Sequence, residues 1–92
     1  MPRRSTSRFH ADRFDRDDMV TTFGANLRAA RLKMHMSQTE LANAAGLLQQ
    51  YISLFESGKQ NVTLTTAVAL ANSVNRDVTT LLAWPKPRLL KG

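Results

Sequence analysis

The sequence predicts an all-α fold of five helices, preceded by a flexible basic N-terminal arm and followed by a short basic tail. Three observations support this prediction. Apolar residues recur at the spacing of a helix face, capping residues and glycines separate the apolar segments, and no alternating strand pattern competes. A chain of 92 residues has room for one domain. We expect that domain at residues 19–82, with the arm at 1–18 and the tail at 83–92.

The first two helices are predicted from an apolar face and from end signals. The face of the first helix follows the i, i+4, i+7, i+11 spacing: Phe23, Leu27, Ala30 and Met34. Thr21 or Thr22 is a suitable N-cap for that helix. Ser37 and Glu40 have the spacing of a capping box, so the second helix should begin there. Gly46 should end it, because glycine tolerates a left-handed backbone.

The third helix is predicted from about Leu48 to Ser57, with Gly58 closing it. On a helical wheel Leu48, Ile52 and Phe55 cluster within roughly 60° of arc, which indicates a core-facing side.

The last two helices are predicted from capping residues followed by apolar positions. Thr63 is the expected N-cap of the fourth helix, and Asp77 precedes the fifth. The prolines at 85 and 87 end helical structure. In the fourth helix the residues expected to be buried are Leu64, Ala67, Val68, Ala71 and Val74.

Composition narrows the class of function. The net charge of +6 and the pI of about 10.9 favour a polyanionic partner. Most of the excess charge lies in the two end segments, where the N-terminal arm is either a flexible tail or a contact to DNA phosphates or the minor groove. The absence of cysteine excludes disulfides and thiolate metal sites. No apolar run is long enough for a membrane span, so we expect a cytoplasmic protein.

No catalytic or cofactor-binding constellation is evident. His10 and His35 lie in separate segments, and His35 is placed to interact with the C-terminal end of the first helix. The four aspartates of the arm alternate with arginines and contain no intervening glycine, which is typical of a solvated charge run rather than a metal site. We therefore expect no enzyme activity, no metal and no cofactor.

The outer face of the third helix carries the functional prediction. It presents amides, a hydroxyl and an aliphatic side chain, and no charge: Gln49, Gln50, Ser53 and Leu54. Glutamine can pair with adenine through N6 and N7, serine can contact several bases, and leucine can touch the methyl group of thymine. The alternative is that these residues are merely exposed polar positions. Their place on the second helix of a helix-turn-helix pattern favours base recognition.

The pattern resembles the phage repressor and Cro-type helix-turn-helix family, also called XRE-like, over residues 20–82. The positions that carry the resemblance are Phe23-Gly24, Leu27, Arg31, Ser37-Gln38-x-Glu40-Leu41-Ala42, Gly46, Ile52-Ser53-x-Phe55-Glu56-Ser57-Gly58-Lys59 and Thr63-Leu64. The resemblance implies a five-helix, lambda-repressor-like domain whose third helix lies in the major groove of double-stranded DNA.

The resemblance also implies roles for individual residues. Gln49 and Gln50, with Ser53 and Leu54 one turn later, match base-reading positions. Glu56 matches the acidic partner of a helix-1 arginine, here Arg31, in a structural ion pair. The positions expected to contact phosphate are Gln38, Tyr51, Ser57, Lys59 and Asn61.

Three of those positions carry a further expectation. Gln38 should also brace the third helix. Tyr51 has three open alternatives: a phosphate contact, stacking on a sugar, or packing back on the core. Val62 stands where the family commonly has proline, so the backbone around Asn61 is expected to differ.

One helix-turn-helix reads only a few base pairs, so we expect a homodimer on an inverted repeat. The predicted interface is Val78, Leu81, Leu82 and Trp84, although Trp84 could instead pack on its own helix. The expected function is repressor-type transcription regulation, as a phage-type repressor, a restriction–modification controller or an antitoxin. The alternative is a bridging module or antitoxin whose fold binds a toxin or other protein partner.

Overall fold

The computed structural model describes residues 16–83 and confirms the predicted five-helix, all-α fold over that range. Trp84 and the prolines that follow it lie outside the described residues, as does the arm up to residue 15. The helices are α1, Arg16–Lys33; α2, Gln38–Ala45; α3, Gln49–Glu56; α4, Leu64–Ser73; and α5, Val78–Leu82.

The first helix begins earlier than the sequence suggested. It includes Arg16 and the two aspartates that follow, which we had placed in the arm. Thr21 and Thr22 therefore lie inside α1, and neither is its N-cap. Met19 and Val20 continue the apolar face N-terminally, and residues 16–18 precede them in the same helix.

The predicted caps of α2 and α4 are confirmed. The Glu40 amide donates to the Ser37 hydroxyl oxygen at 3.0 Å, and the Ser37 amide donates to the Glu40 carboxylate at 2.8 Å. Gly46 follows α2 with φ of 73°, in the left-handed region. At the start of α4 the Thr66 amide donates to the Thr63 hydroxyl oxygen.

A single apolar core joins the helices. The α1 helix packs against α3 and α5, whereas α2 packs against α3 and α4. This arrangement holds the inner side of α3 between α1 and α2. The buried apolar residues are Phe23, Leu27, Ala30, Leu41, Ala42, Ile52, Phe55, Ala67, Leu70, Ala71, Val74 and Leu81.

Some residues lie elsewhere than predicted. Leu48, Leu64 and Val68 are exposed, because Leu48 and Leu64 stand at helix starts beyond the edge of the core. Leu81 is wrongly placed in a dimer interface: its side chain is 1% exposed and belongs to the core of the monomer.

The end of α5 is fastened to the first helix through one amide side chain. The Asn26 Nδ2 group donates to the Leu81 carbonyl oxygen at 2.9 Å and to the Ala83 carbonyl oxygen at 2.8 Å. These two bonds satisfy carbonyl groups that a helix leaves without an internal partner at its C-terminal end. The short α5 is thus held by side-chain hydrogen bonds as well as by the burial of Leu81.

Candidate nucleic-acid interface

A tight turn sets α3 against α2. The α2 helix ends at Ala45, residues 46–48 form the turn, and α3 starts at Gln49. The left-handed backbone of Gly46 reverses the chain, and the Leu47 amide donates back to the Ala42 carbonyl oxygen at 2.9 Å. Helix, three-residue turn and helix are the parts of a helix-turn-helix.

The outer face of α3 is open to solvent. Ile52 and Phe55 are buried behind it, while Gln49, Gln50 and Ser53 are exposed and Leu54 is partly exposed. Residues 48–55 contain no charged side chain. This uncharged outer face can offer amide and hydroxyl hydrogen bonds and apolar contact to base edges.

Leu48 is a surface residue that the helical wheel misplaced. It is the N-cap of α3 with an extended backbone, φ of −85° and ψ of 147°, so its side chain leaves the helical phase. It is 61% exposed beside Gln49. The signal was its position immediately before the paired glutamines, where an aliphatic side chain cannot cap a helix.

A buried ion pair joins α1 to the end of α3. The Arg31 Nε group donates to Glu56 Oε2 at 2.7 Å, and the Arg31 Nη2 group donates to Glu56 Oε1 at 2.9 Å. The two side chains are only 8% and 4% exposed. The Arg31 Nη1 group also donates to the Met36 carbonyl oxygen at 2.8 Å. The hydrogen bonds that Arg31 donates to the Glu56 carboxylate raise the pKa of Arg31, against the opposing effect of burial.

Two glutamines continue from this ion pair to the surface. The Gln38 Nε2 group donates to Glu56 Oε1 at 3.1 Å, and the Gln49 Nε2 group donates to Gln38 Oε1 at 2.6 Å. Gln38 therefore bridges the end of α3, at Glu56, to its beginning, at Gln49. The side chain of Gln49 is exposed, but one of its amide hydrogens is already used.

The remaining predicted phosphate contacts surround α3. The Tyr51 ring stacks on Phe55 with centroids 6.3 Å apart while staying partly exposed. The Ser57 hydroxyl donates to the Ser53 carbonyl oxygen at 2.9 Å. Lys59 and Asn61 are exposed in the loop after α3, and the Lys59 amide donates to the Leu54 carbonyl oxygen.

A second surface feature is an apolar groove of about 380 Å³ between α1, the loop before α4, and α5. Leu82 and Leu64 are exposed at this groove, and Val78 is partly buried against the core. The groove is lined by Met19, Val20, Phe23, Gln60, Asn61, Val62, Leu64, Ala67 and Leu82.

Within residues 16–83 we find no cluster of His, Asp or Glu side chains arranged to hold a metal ion. None of the described helices combines the length and apolar character that crossing a bilayer requires.

The turn geometry and the exposed, uncharged second helix define a helix-turn-helix DNA-binding protein. The family model described as Helix-turn-helix matches residues 27–81, and the chain belongs to this family, in its XRE-like form. Members of this family bind DNA and regulate transcription. We therefore assign DNA binding and transcription regulation to this chain.

Three similar proteins are named as control proteins or as a transcription factor. It is 37% identical to the control protein C.SmaI of Serratia marcescens over 65 residues, which are 71% of this chain and 77% of that protein. The restriction-modification controller protein C.AhdI of Aeromonas hydrophila is 31% identical, with a TM-score of 0.69 over 74% of this chain and 99% of that one. The hypothetical transcription factor NHTF from Neisseria is 29% identical, with a TM-score of 0.74 over 86% and 91% of the two chains.

Proposed function

We propose that the chain recognises a specific operator sequence by placing α3 in the major groove. The observation that carries this proposal is the uncharged outer face of α3, held outward by Ile52 and Phe55 on its reverse. A charged, solvated helix face would favour phosphates and water, whereas uncharged amides and aliphatic groups match base edges. The base-reading residues are Gln49, Gln50, Ser53 and Leu54.

The phosphate backbone is held from the two sides of α3. Lys59 supplies the cation in the loop that follows α3, and Asn61 supplies an uncharged donor. Gln38 has one amide hydrogen left for a phosphate after its bond to Glu56. The Tyr51 hydroxyl contributes from the exposed edge of its ring. Ser57 contributes only after its hydroxyl rotates away from the carbonyl that it now contacts.

The operator-binding unit is a homodimer. Two domains related by a two-fold axis read two half-sites about 34 Å apart, which one copy alone does not reach. The second copy covers the exposed leucines at the apolar groove, Leu82 and Leu64, together with Val78 of the same helix as Leu82. Trp84 lies outside the described residues, and we include it in the proposed contact because it follows Leu82 by two residues in the sequence. Covering these apolar side chains supplies the favourable free energy of association.

Among regulators with this domain, the restriction–modification controller is the type that the similarities favour. Both C.SmaI and C.AhdI are named as control or controller proteins, and the chain is more than 30% identical to each. We propose repressor-type regulation, in which the dimer occupies an inverted-repeat operator.

The experiment that tests this function is selection of bound sequences from random duplex DNA with the full chain. We expect an enriched motif with two-fold symmetry and half-sites about one helical turn apart. Recovery of no enriched sequence would overturn the proposal. The Gln49→Ala/Gln50→Ala variant separates it from a bridging role, since a protein-bridging module would keep its function without those amides.

A further inference from the structure

A continuous chain of hydrogen bonds runs from the core to the outer face of α3. It begins at the guanidinium of Arg31, passes through the carboxylate of Glu56 and the amide of Gln38, and ends at the amide of Gln49. The side chains of Arg31 and Glu56 are buried, and Gln49, at the other end of the chain of bonds, is exposed. The chain therefore connects a buried charge to a side chain on the base-reading surface.

The carboxylate dictates the direction of every bond in this chain. A carboxylate only accepts hydrogen bonds, so Gln38 must turn its Nε2 group toward Glu56. The Oε1 atom of Gln38 then faces Gln49, and Gln49 must donate its own Nε2 group to it, as the 2.6 Å contact shows. Neither amide can rotate by 180° without bringing two acceptors or two donors together.

This direction determines what Gln49 offers to a base. One of its two Nε2 hydrogens is used on Gln38, so one hydrogen and the Oε1 atom stay free. Adenine presents an acceptor at N7 and a donor at N6, which match one free hydrogen and one free oxygen. Guanine presents two acceptors, N7 and O6, and would place O6 against the free oxygen of Gln49.

We propose that Glu56 is a positioning residue for base recognition: its charge fixes the polarity of the Gln38 and Gln49 amides and thereby selects adenine over guanine. This inference rests on the proposed function, because it assumes that Gln49 faces a base. It adds a role to the ion pair, which otherwise only stabilises the packing of α1 on α3. Glu56 never touches the DNA and acts through two amide groups.

The first test removes the bridge and keeps its size, by Gln38→Met. The base pair that faces Gln49 is identified as the one position of the DNA site at which Gln49→Ala reduces the sequence preference. At that position the full-length protein should prefer adenine over guanine by about tenfold. Gln38→Met should reduce the preference to about threefold or less, because Gln49 is then free to rotate. The matched control is Asn72→Met, which changes an exposed amide side chain of α4 outside the chain of bonds and should keep the preference.

The second test removes the carboxylate together with its buried partner, by Arg31→Met/Glu56→Met. Gln38 then has no carboxylate to donate to, and either end of its amide can face Gln49. We expect the adenine preference at this position to fall to about threefold or less, measured on protein whose helical circular dichroism shows that it is folded.

The possible results distinguish a failure of the proposed function from a failure of the polarity mechanism. If the unmodified chain binds no sequence preferentially, the proposed function fails and this inference fails with it. If the unmodified chain binds specifically and either variant keeps its adenine preference, the polarity mechanism is wrong while the function stands. Should Arg31→Met/Glu56→Met not fold, an unchanged adenine preference in Gln38→Met still overturns the mechanism, and a reduced one supports it.

Discussion

Gly24 of α1 lies directly against the backbone carbonyl of Phe55 in α3. A Cβ atom added at Gly24 would overlap the Phe55 carbonyl oxygen and would also crowd the backbone of Glu56. The two helices therefore cross backbone to backbone at this point. The close crossing brings Glu56 within reach of Arg31, and so the position of the α3 surface depends on the absence of one side chain.

Gly24→Ala should destabilise the fold by about 3 kcal/mol or more, since backbone rather than a flexible side chain would have to move. Gly46→Ala is the comparison. Its added Cβ meets nothing within 4 Å, so only the left-handed backbone is strained, at a cost of about 1 kcal/mol. Urea denaturation of both variants measures the difference. Equal losses would show that the helices separate easily.

Arg31→Met should cost about 3–5 kcal/mol of unfolding free energy, because it leaves the buried Glu56 carboxylate without its partner. Arg31→Met/Glu56→Met should recover much of this loss, and a double variant as unstable as the single one would contradict the explanation.

The raised pKa of Arg31 means that its contribution to stability is fully present below its unfolded-state pKa, and is lost only as pH rises through the still higher folded-state pKa. No loss of stability from Arg31 is therefore expected between pH 7 and pH 9.

Gln50→Ala and Lys59→Ala should affect DNA binding in different ways. The Gln50 side chain has no hydrogen-bond partner among the described residues and is free for a base, so its loss should cost about 1–3 kcal/mol on the selected sequence and little on random DNA. Lys59→Ala should weaken binding to every sequence and reduce the slope of log K against log salt by about 0.9. Titrations at several salt concentrations check both. Identical behaviour of the two variants would refute the division between base and phosphate contacts.

Leu48 should contact the methyl group of a thymine, because it is an exposed aliphatic side chain beside Gln49. Replacing the critical dT by deoxyuridine removes only that methyl, and the unmodified protein should lose about fourfold in affinity. Leu48→Ala should bind both DNAs equally. Leu54→Ala is the control that shows whether the other leucine of this face makes the contact instead.

Leu82→Glu should weaken the dimer by about tenfold or more, because it places a charge in the proposed apolar contact. Met34→Glu is the matched control: Met34 is 43% exposed and Leu82 is 41% exposed, but Met34 is outside the groove. Sedimentation equilibrium measures the dissociation constant of each. A dimer that tolerates Leu82→Glu would place the interface elsewhere.

The fold was predictable because its signals are local. The spacing of Ser37 and Glu40, the glycine at 46 and the threonine at 63 each specify a helix end by backbone hydrogen bonding, and all three are found where expected. The start of α1 was missed because residues 16–18 are all charged and show no apolar periodicity. Charged residues nevertheless fit the solvent-exposed surface of a helix.

The surface was only partly predictable because exposure depends on distant packing. A wheel placed Leu48 with Ile52, although an N-cap does not follow the helical phase. Leu81 was assigned to an interface because its sequence neighbours are also apolar, while its burial depends on α1, more than fifty residues away. The bond from Gln38 to Glu56 likewise joins residues that no short motif connects.

The uncharged outer face of α3 has an evolutionary consequence. Exchanging one of its amides, hydroxyls or aliphatic groups for another leaves the net charge and the surrounding ion atmosphere unchanged. A lineage can therefore acquire a new target site by altering a few surface atoms, while its general attraction to nucleic acid is inherited intact. Divergent copies in one cell can thus keep the same general affinity for DNA and recognise different promoters.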